Sequence, residues 1–496
     1  MRPAEQALWC AGRSLTWAQT DALVSDLARG VRSMGLQPGE RLGLLLGNSI
    51  EFVISYFGAL RAGLVVVPMN PAYTAAEVAV LLADAGVRAV ICESTTAAVA
   101  AQAADAIPGC ETIEVGSASW TRLLDSGTAA GAPAADQVPV DPDTLALLLF
   151  TAGTSGRPKG VMLTHRALRA NIDALRLLND PPPVLPTDVV YVVLPMFHVY
   201  GLNTVLGLAV SAGACCVIDD RFEPRQALRL ITEHGVTTVA GAPAMYRAWA
   251  AVPDLREAVA GVRLFSSGGS SLPPAVFEAF AEASGATIYE GYGMTETAPV
   301  VTTNLVGGQP KPGSVGRPIP SVEVRLVDPD GEPADDGDPG EVCVRGPSVF
   351  LGYWPDAVGG PDEQGWFRSG DVAFLDAEGD LHLVDRRREL VIVNGFNVYP
   401  REIELAIEAM DGIEEVAVVG VADDATGESL VAFVVVDPGA GIGVDQVREH
   451  CASRLARFKI PAVIRLVDAL PHSATGKVAK GRLREVHQDA REPGEP

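Results

Sequence analysis

The sequence predicts an α/β protein. It reads as a large N-terminal domain of helix-covered, mostly parallel sheets with a small β-barrel-like subdomain, followed by a small α+β C-terminal domain. Three observations carry this. Apolar runs of strand length alternate with helical periodicity through the first two thirds of the chain. Beyond "KPGSVGRPIP" the rhythm changes to short strands broken by Gly, Pro and Asp. The last stretch, about 110 residues, has its own apolar periodicity, enough for a small domain.

In order, "RLGLLLGN" reads as a strand, "SIEFVISYFGALRAG" as a helix, "LVVVPMN" as a strand, "TAAEVAVLLADAG" as a helix and "VRAVICE" as a strand. That alternation calls for parallel strands with helices on both faces. Residues 116–143 are small, polar and proline-bearing, and read as a connecting loop. "VLGLAVSAGACCVI" reads as a buried helix running into a strand. "VEVRLVDPDGEP", "GEVCVRGPS" and "VAFLDAEGDLHLVD" are hairpin strands of a small barrel or antiparallel sheet. Helices in "PREIELAIEAM" and "VDQVREHCASRLA" flank strands in "EEVAVVGVAD" and "ESLVAFVVVD".

The 496 residues exceed the usual single-domain size. A net charge of −24 argues against nucleic acid or an anionic membrane as partner, since both are bound through clustered Lys and Arg. "MRPAEQALWCAGRS" lacks the apolar core of a signal peptide, and no run reaches the ~18 apolar residues of a membrane helix. Seven cysteines occur without a CxxC pair, which points to reduced thiols in the cytoplasm rather than zinc.

"FTAGTSGRPKG" (150–160) follows the apolar run "LALLLF". A Walker loop would need Gly at 158 and Ser or Thr at 160, where Pro158 and Gly160 stand. The composition still suits a phosphate cradle. Gly153, Gly156 and Gly160 permit unusual backbone angles, Thr151, Thr154 and Ser155 offer hydroxyl donors, and Lys159 adds charge.

The stretch resembles the phosphate loop of the adenylate-forming superfamily, departing from T-S-G-T-T-G-x-P-K-G at Ala152 and Ser155. Further matches run in the family's order: "LPMFHVYGL" (194–202), "SSGGSSLP" (266–273), "EGYGMTETAP" (290–299), "RSGD" (368–371), "DRRRELVIVNGFNVYPREIE" (385–404) and "LPHSATGKVAKGRLR" (470–484). The acyl-CoA synthetase branch is the nearest, in particular the fatty acyl-CoA and 4-coumarate–CoA ligases.

The resemblance implies an ATP-dependent carboxylic acid–CoA ligase. ATP and coenzyme A are its substrates and Mg2+ is held at Glu296, a hard cation on an oxygen ligand. Thr295 would contact the α-phosphate. Tyr292, beside Gly291 and Gly293, would stack on adenine, with Gly268, Gly269 and Ser270 lining the other side. Asp371 and Arg386 would reach the ribose. Lys477 is the expected catalytic cation, while Lys480 and Arg482 read as solvated neighbours. The resemblance divides the chain into an adenylation domain (1–385), a hinge (386–388, with Arg388 as pivot) and a mobile C-terminal domain (389–496). The mobile domain would present Gly395 for thioester formation.

His198 stands where amino-acid-activating relatives carry an aspartate, which disfavours an amino acid and gives the histidine a gating or pocket role. "GAPAMY" (241–246) and "GMTETAPV" bring no base for a second carboxylate. The expected acid is a medium- or long-chain fatty acid, with an aryl acid as the near alternative. A ligase that hands its adenylate to an acyl carrier protein is the competing function. A homodimer stays open.

Overall fold

The computed structural model describes residues 3–128, 141–151, 158–328, 330–335, 337–386, 391–393, 396–398, 400–423, 427–455, 457–472 and 478–489. The chain forms two compact units. The first holds residues 1–272, 276–324 and 344–367, and the second holds 273–275, 325–343 and 368–496.

Two sheets organise the first unit. One runs in the order Glu111–Glu114, Val87–Cys92, Arg41–Leu45, Val65–Pro68, Leu145–Thr151, Lys159–Thr164, parallel except for the last strand. The other has Ile288–Gly293, Leu264–Ser267, Thr238–Gly241, Val189–Val192, Cys215–Ile218 and Gln6–Cys10 side by side and parallel. Antiparallel strands close both of its edges. Its central strands are apolar on both faces, as burial between helix layers requires.

The helices begin where the sequence supplies caps. Thr74 and Glu77 form a reciprocal capping box ahead of Ala75–Ala85, and Ser49 caps Ile50–Arg61. The apolar run after His198 becomes a π-helix, Tyr200–Gly207, continued by the α-helix Leu208–Ala212 and the strand Cys215–Ile218.

One expectation fails. Residues 116–143 are not a loop throughout, because Ala118–Thr128 is a helix. The Ser117 hydroxyl accepts from the Ser119 and Trp120 amides, and the helix buries Trp120 and Leu123. Its backbone lies so close to the helix Trp17–Ser33 that a Cβ on Gly30 would stand 2.2 Å from the Leu123 oxygen. The polar residues that suggested a loop are the cap and the outer face.

The hairpin-rich region forms a four-stranded sheet, Glu323–Val327, Gly340–Arg345, Phe367–Leu375, Leu381–Arg386. The second unit also contains the sheet Phe396–Val398, Val391–Val393, Gly427–Val436, Ile413–Asp423, with Val463–Leu466 parallel to Gly427–Val436. Helices Pro400–Glu408 and Val444–Ala452 pack their apolar faces on it.

Candidate active site

Ligands of open parallel sheets bind beyond the carboxyl ends of the strands. In the first unit those ends collect His198, Gly268, Gly269, Ser270, Tyr292, Thr295 and Glu296. Val189–Val192 leads into 194–200, Thr238–Gly241 into 242–246, Leu264–Ser267 into 268–270, and Ile288–Gly293 into 294–297.

The loop before His198 is fixed by Asn48. Its buried amide donates to the Leu194 and Asp219 carbonyls, each at 3.1 Å, and its oxygen accepts from Met196 N–H at 2.8 Å. His198 is half-buried, and its Nδ1 accepts from the Tyr200 amide at 3.3 Å. Tyr200 lays its ring against Gly268, where an added Cβ would lie 3.1 Å from Cε1 and Cζ. Burial pushes its phenol up to about 12. Tyr246 fills the space beneath Gly241 in the same way, and its hydroxyl donates to the Ser266 carbonyl at 2.5 Å. Tyr200 is therefore uncharged at neutral pH, and Tyr246 is wholly buried in the core.

Gly269 adopts a φ of +85°, open to glycine and costly to other residues, and Ser270 is exposed. Tyr292 is mostly covered; Gly291 lies close to Thr302, and Gly293 faces Pro299 too closely for a side chain. A Cβ at Gly293 would sit 2.1 Å from the Pro299 oxygen. Thr295 and Thr297 are buried in a short 3-10 turn, with Glu296 between them.

Two buried asparagines from neighbouring helical segments pin this turn. Asn171 donates to Thr297 and Val300 carbonyls at 3.3 and 2.8 Å and accepts from Val300 N–H. Asn203 donates to the Ala298 and Leu168 carbonyls at 2.7 and 3.0 Å. The Glu296 carboxylate accepts from the Tyr353 hydroxyl at 2.8 Å. The same Tyr353 ring carries Lys159 Nζ at 4.8 Å from its centroid.

Thr151 and Lys159 are cross-strand partners at the ends of the hairpin whose loop was expected to cradle phosphates. Gly153, Thr154, Ser155 and Gly156 lie outside the described residues. Gly160 is a glycine for packing, since its Cβ would stand 2.9 Å from Leu148 and 3.1 Å from Trp354. Among the described residues no group of three or more His, Cys, Asp and Glu could hold a metal on its own. A single carboxylate fits the habit of magnesium, which uses one or two carboxylates together with substrate phosphates.

Comparison with known proteins shows the family. The model of the AMP-binding enzyme family matches residues 1–354, and that of the AMP-binding enzyme C-terminal domain matches 402–477. The chain belongs to the AMP-binding enzyme family. It is 33% identical to a long-chain-fatty-acid–CoA ligase of Bacillus subtilis strain 168, over 97% of this chain and 92% of the relative. It is 35% identical to a feruloyl-CoA synthase of an Amycolatopsis species, over 98% and 96% of the two chains. The crystal structure of ATP-bound MatB from Rhodopseudomonas palustris superposes with a TM-score of 0.91 at 34% identity, covering 99% and 97% of the chains. The protein is an AMP-forming acyl- or aryl-CoA synthetase, with ATP, CoA and a small carboxylic acid as substrates.

Within the second unit of this AMP-binding enzyme, Asp371 and Arg386 are directly opposed across an antiparallel strand pair, so the two expected ribose contacts share one place. The buried Glu341 shapes the "RSGD" turn, accepting from Arg368 Nε at 2.9 Å and from Gly370 N–H at 3.2 Å. Lys477, Gly395 and Arg388 lie outside the described residues.

Lys480 is not a solvated neighbour. Its Nζ lies 2.8 Å from Glu404 Oε1, which also accepts from Val418 N–H at 2.8 Å, and both side chains are largely covered. Sequence reasoning missed Asn48, Asn171, Asn203, Glu341 and Tyr353. For Asn203 the signal was a polar residue in an otherwise apolar run, whereas Asn48 follows a strand and Asn171 sits on a largely polar helix, where neither stands out. For Tyr353, it was an aromatic residue in the turn-like "LGYWP".

Proposed function

We propose that this enzyme activates an apolar monocarboxylic acid, a medium- or long-chain fatty acid or an aryl acid, and passes it to CoA in two steps at one site. In the first, a carboxylate oxygen of the acid attacks the α-phosphorus of ATP. The acyl–phosphate bond forms, the α–β bridge breaks and pyrophosphate leaves. Lys477 bridges the acid and the α-phosphate as charge moves between them. Thr295 contacts the α-phosphate, and Lys159 and the 151–156 loop hold the outer phosphates. When Mg2+ is bound at Glu296, it supplies charge neutralisation for the departing pyrophosphate. Tyr292 and Gly268–Ser270 enclose the adenine, and Asp371 with Arg386 binds the ribose.

In the second step, the CoA sulfur attacks the acyl carbon, AMP departs and the thiol proton is released. Between the steps the C-terminal domain (389–496) turns about the hinge 386–388, replacing Lys477 by the backbone around Gly395. We further infer a cytoplasmic setting, in keeping with the free thiols.

The observation that supports an apolar acid is the half-buried, uncharged Tyr200 ring packed against Gly268 beyond the strand Leu264–Ser267, which offers no charge to an ammonium or a second carboxylate. The relatives' names, long-chain-fatty-acid–CoA ligase and feruloyl-CoA synthase, support one class each. A panel of fatty and aryl acids, scored by pyrophosphate release with and without CoA, tests the proposal. Thioester from at least one apolar acid and none from amino acids or dicarboxylates is expected. Adenylate without thioester for every acid would favour delivery to a carrier protein.

A further inference from the structure

The segment 350–354 is fastened on two sides. Phe350 N–H donates to the Glu296 carbonyl at 2.8 Å, which ties one end to the turn that carries the metal-binding candidate. Leu351 N–H donates to Met162 at 3.0 Å, Met162 N–H to Gly352 at 3.2 Å and Trp354 N–H to Gly160 at 2.8 Å, which tie the rest to the strand emerging from the phosphate loop. Tyr353 stands between these attachments. Its ring is braced edge-on by Phe350, itself buried against Phe367.

We propose that Tyr353 is a positioning residue for adenylation, its hydroxyl orienting the Glu296 carboxylate for the cation that accompanies ATP while its ring steadies Lys159 beside the phosphates. The geometry supplies both halves. A glutamate side chain in a short turn has several rotamers, and ordering it for a cation costs conformational entropy. A phenol that donates to one carboxylate oxygen at 2.8 Å fixes the group and leaves Oε2 for a cation. A lysine over a tyrosine face is held loosely by the ring quadrupole, enough to bias its position without removing its charge. One aromatic residue thus sets the spacing between the carboxylate and the ammonium, two groups that otherwise come from a 3-10 turn and a strand far apart in sequence. The inference rests on the reading that Glu296 takes the metal.

The full-length protein with α,β-methylene ATP, which cannot be cleaved, separates the two functions. Mn2+ binding is read by electron paramagnetic resonance, and binding of the analogue without metal by calorimetry. Tyr353→Phe should weaken Mn2+ about 10-fold, the scale of one hydrogen bond to a charged group, and leave metal-free analogue binding at the wild-type value. Tyr353→Leu should weaken both. Wild-type Mn2+ affinity in Tyr353→Phe, with Glu296→Gln impaired, overturns the positioning role alone. Wild-type Mn2+ affinity in Glu296→Gln takes down the metal reading and this inference with it. Equal loss of metal and metal-free nucleotide binding in Tyr353→Phe would mean a merely structural residue, and also overturns the proposal.

Discussion

Asn203 Nδ2 lies 2.7 Å from the carbonyl oxygen of Ala298, joining the π-helix to the turn that follows Glu296 across 95 residues of sequence. A buried carbonyl at a turn has no helix or sheet partner waiting for it, so an amide that reaches it sets where the turn sits. The π-helix register brings this asparagine inward, and Gly201 makes the register feasible, because its Cβ would meet the Pro195 oxygen at 2.4 Å.

Asn203→Leu keeps the volume and removes the donor. The buried Ala298 oxygen then loses its partner, and the first unit should be destabilised by about 1–3 kcal/mol. All six tryptophans belong to this unit, so their fluorescence follows its unfolding in urea. ATP–pyrophosphate exchange should fall alongside, since the turn carries Thr295 and Glu296. An unchanged urea midpoint would show that the turn does not depend on this tether.

Lys480→Met tests the ion pair with Glu404. Glu404 keeps Val418 N–H and the more distant Arg401, so the loss should be about 1.5–3 kcal/mol, the range for a hydrogen bond to a charged group. Amide exchange at Val418 should speed up accordingly. If it does not, Lys480 contributes nothing to the fold and its contact with Glu404 is incidental.

The chain's motifs were legible because they are local. "EGYGMTETAP" and "RSGD" place functional groups a few residues apart on one turn, and spacing alone preserves that relation. The β-α alternation was legible for the same reason. The supports were not, because each joins distant segments. Asn171 and Asn203 look like ordinary polar helix residues until the turn they pin is packed against them. Lys480 looked solvated because Glu404, its partner, lies 76 positions earlier in the sequence. The helix Ala118–Thr128 was hidden by its own polar outer face.

Asp188 supplies a pH test away from the site. Burial works to raise its pKa, but hydrogen bonds from Arg263, Leu185 N–H and Thr237, with the arginine's charge, bring it below the ordinary carboxylate value. A pKa lower in the folded than in the unfolded state contributes stability that is fully present above the unfolded value, near 3.8, and is lost as the pH falls through the folded one. Asp188→Asn should therefore cost stability at pH 7, and the gap to wild type should hold down to about pH 5 and narrow below about pH 4. Urea titrations of both proteins across this range measure it. A gap that stays constant below pH 4 would mean that the charge of Asp188 is not what stabilises the fold.

In the proposed mechanism one site performs two half-reactions and Lys477 serves only the first. The direct measurement follows both in Lys477→Ala, with ATP and acid in one reaction and chemically prepared acyl-adenylate and CoA in another. Pyrophosphate release should drop by about 10²-fold or more, the scale of losing one electrostatic stabiliser. Thioester formation from the supplied adenylate should remain within a few-fold of wild type, by the same reasoning that the lysine makes no contact in that step. Loss of both half-reactions to the same degree would contradict the account.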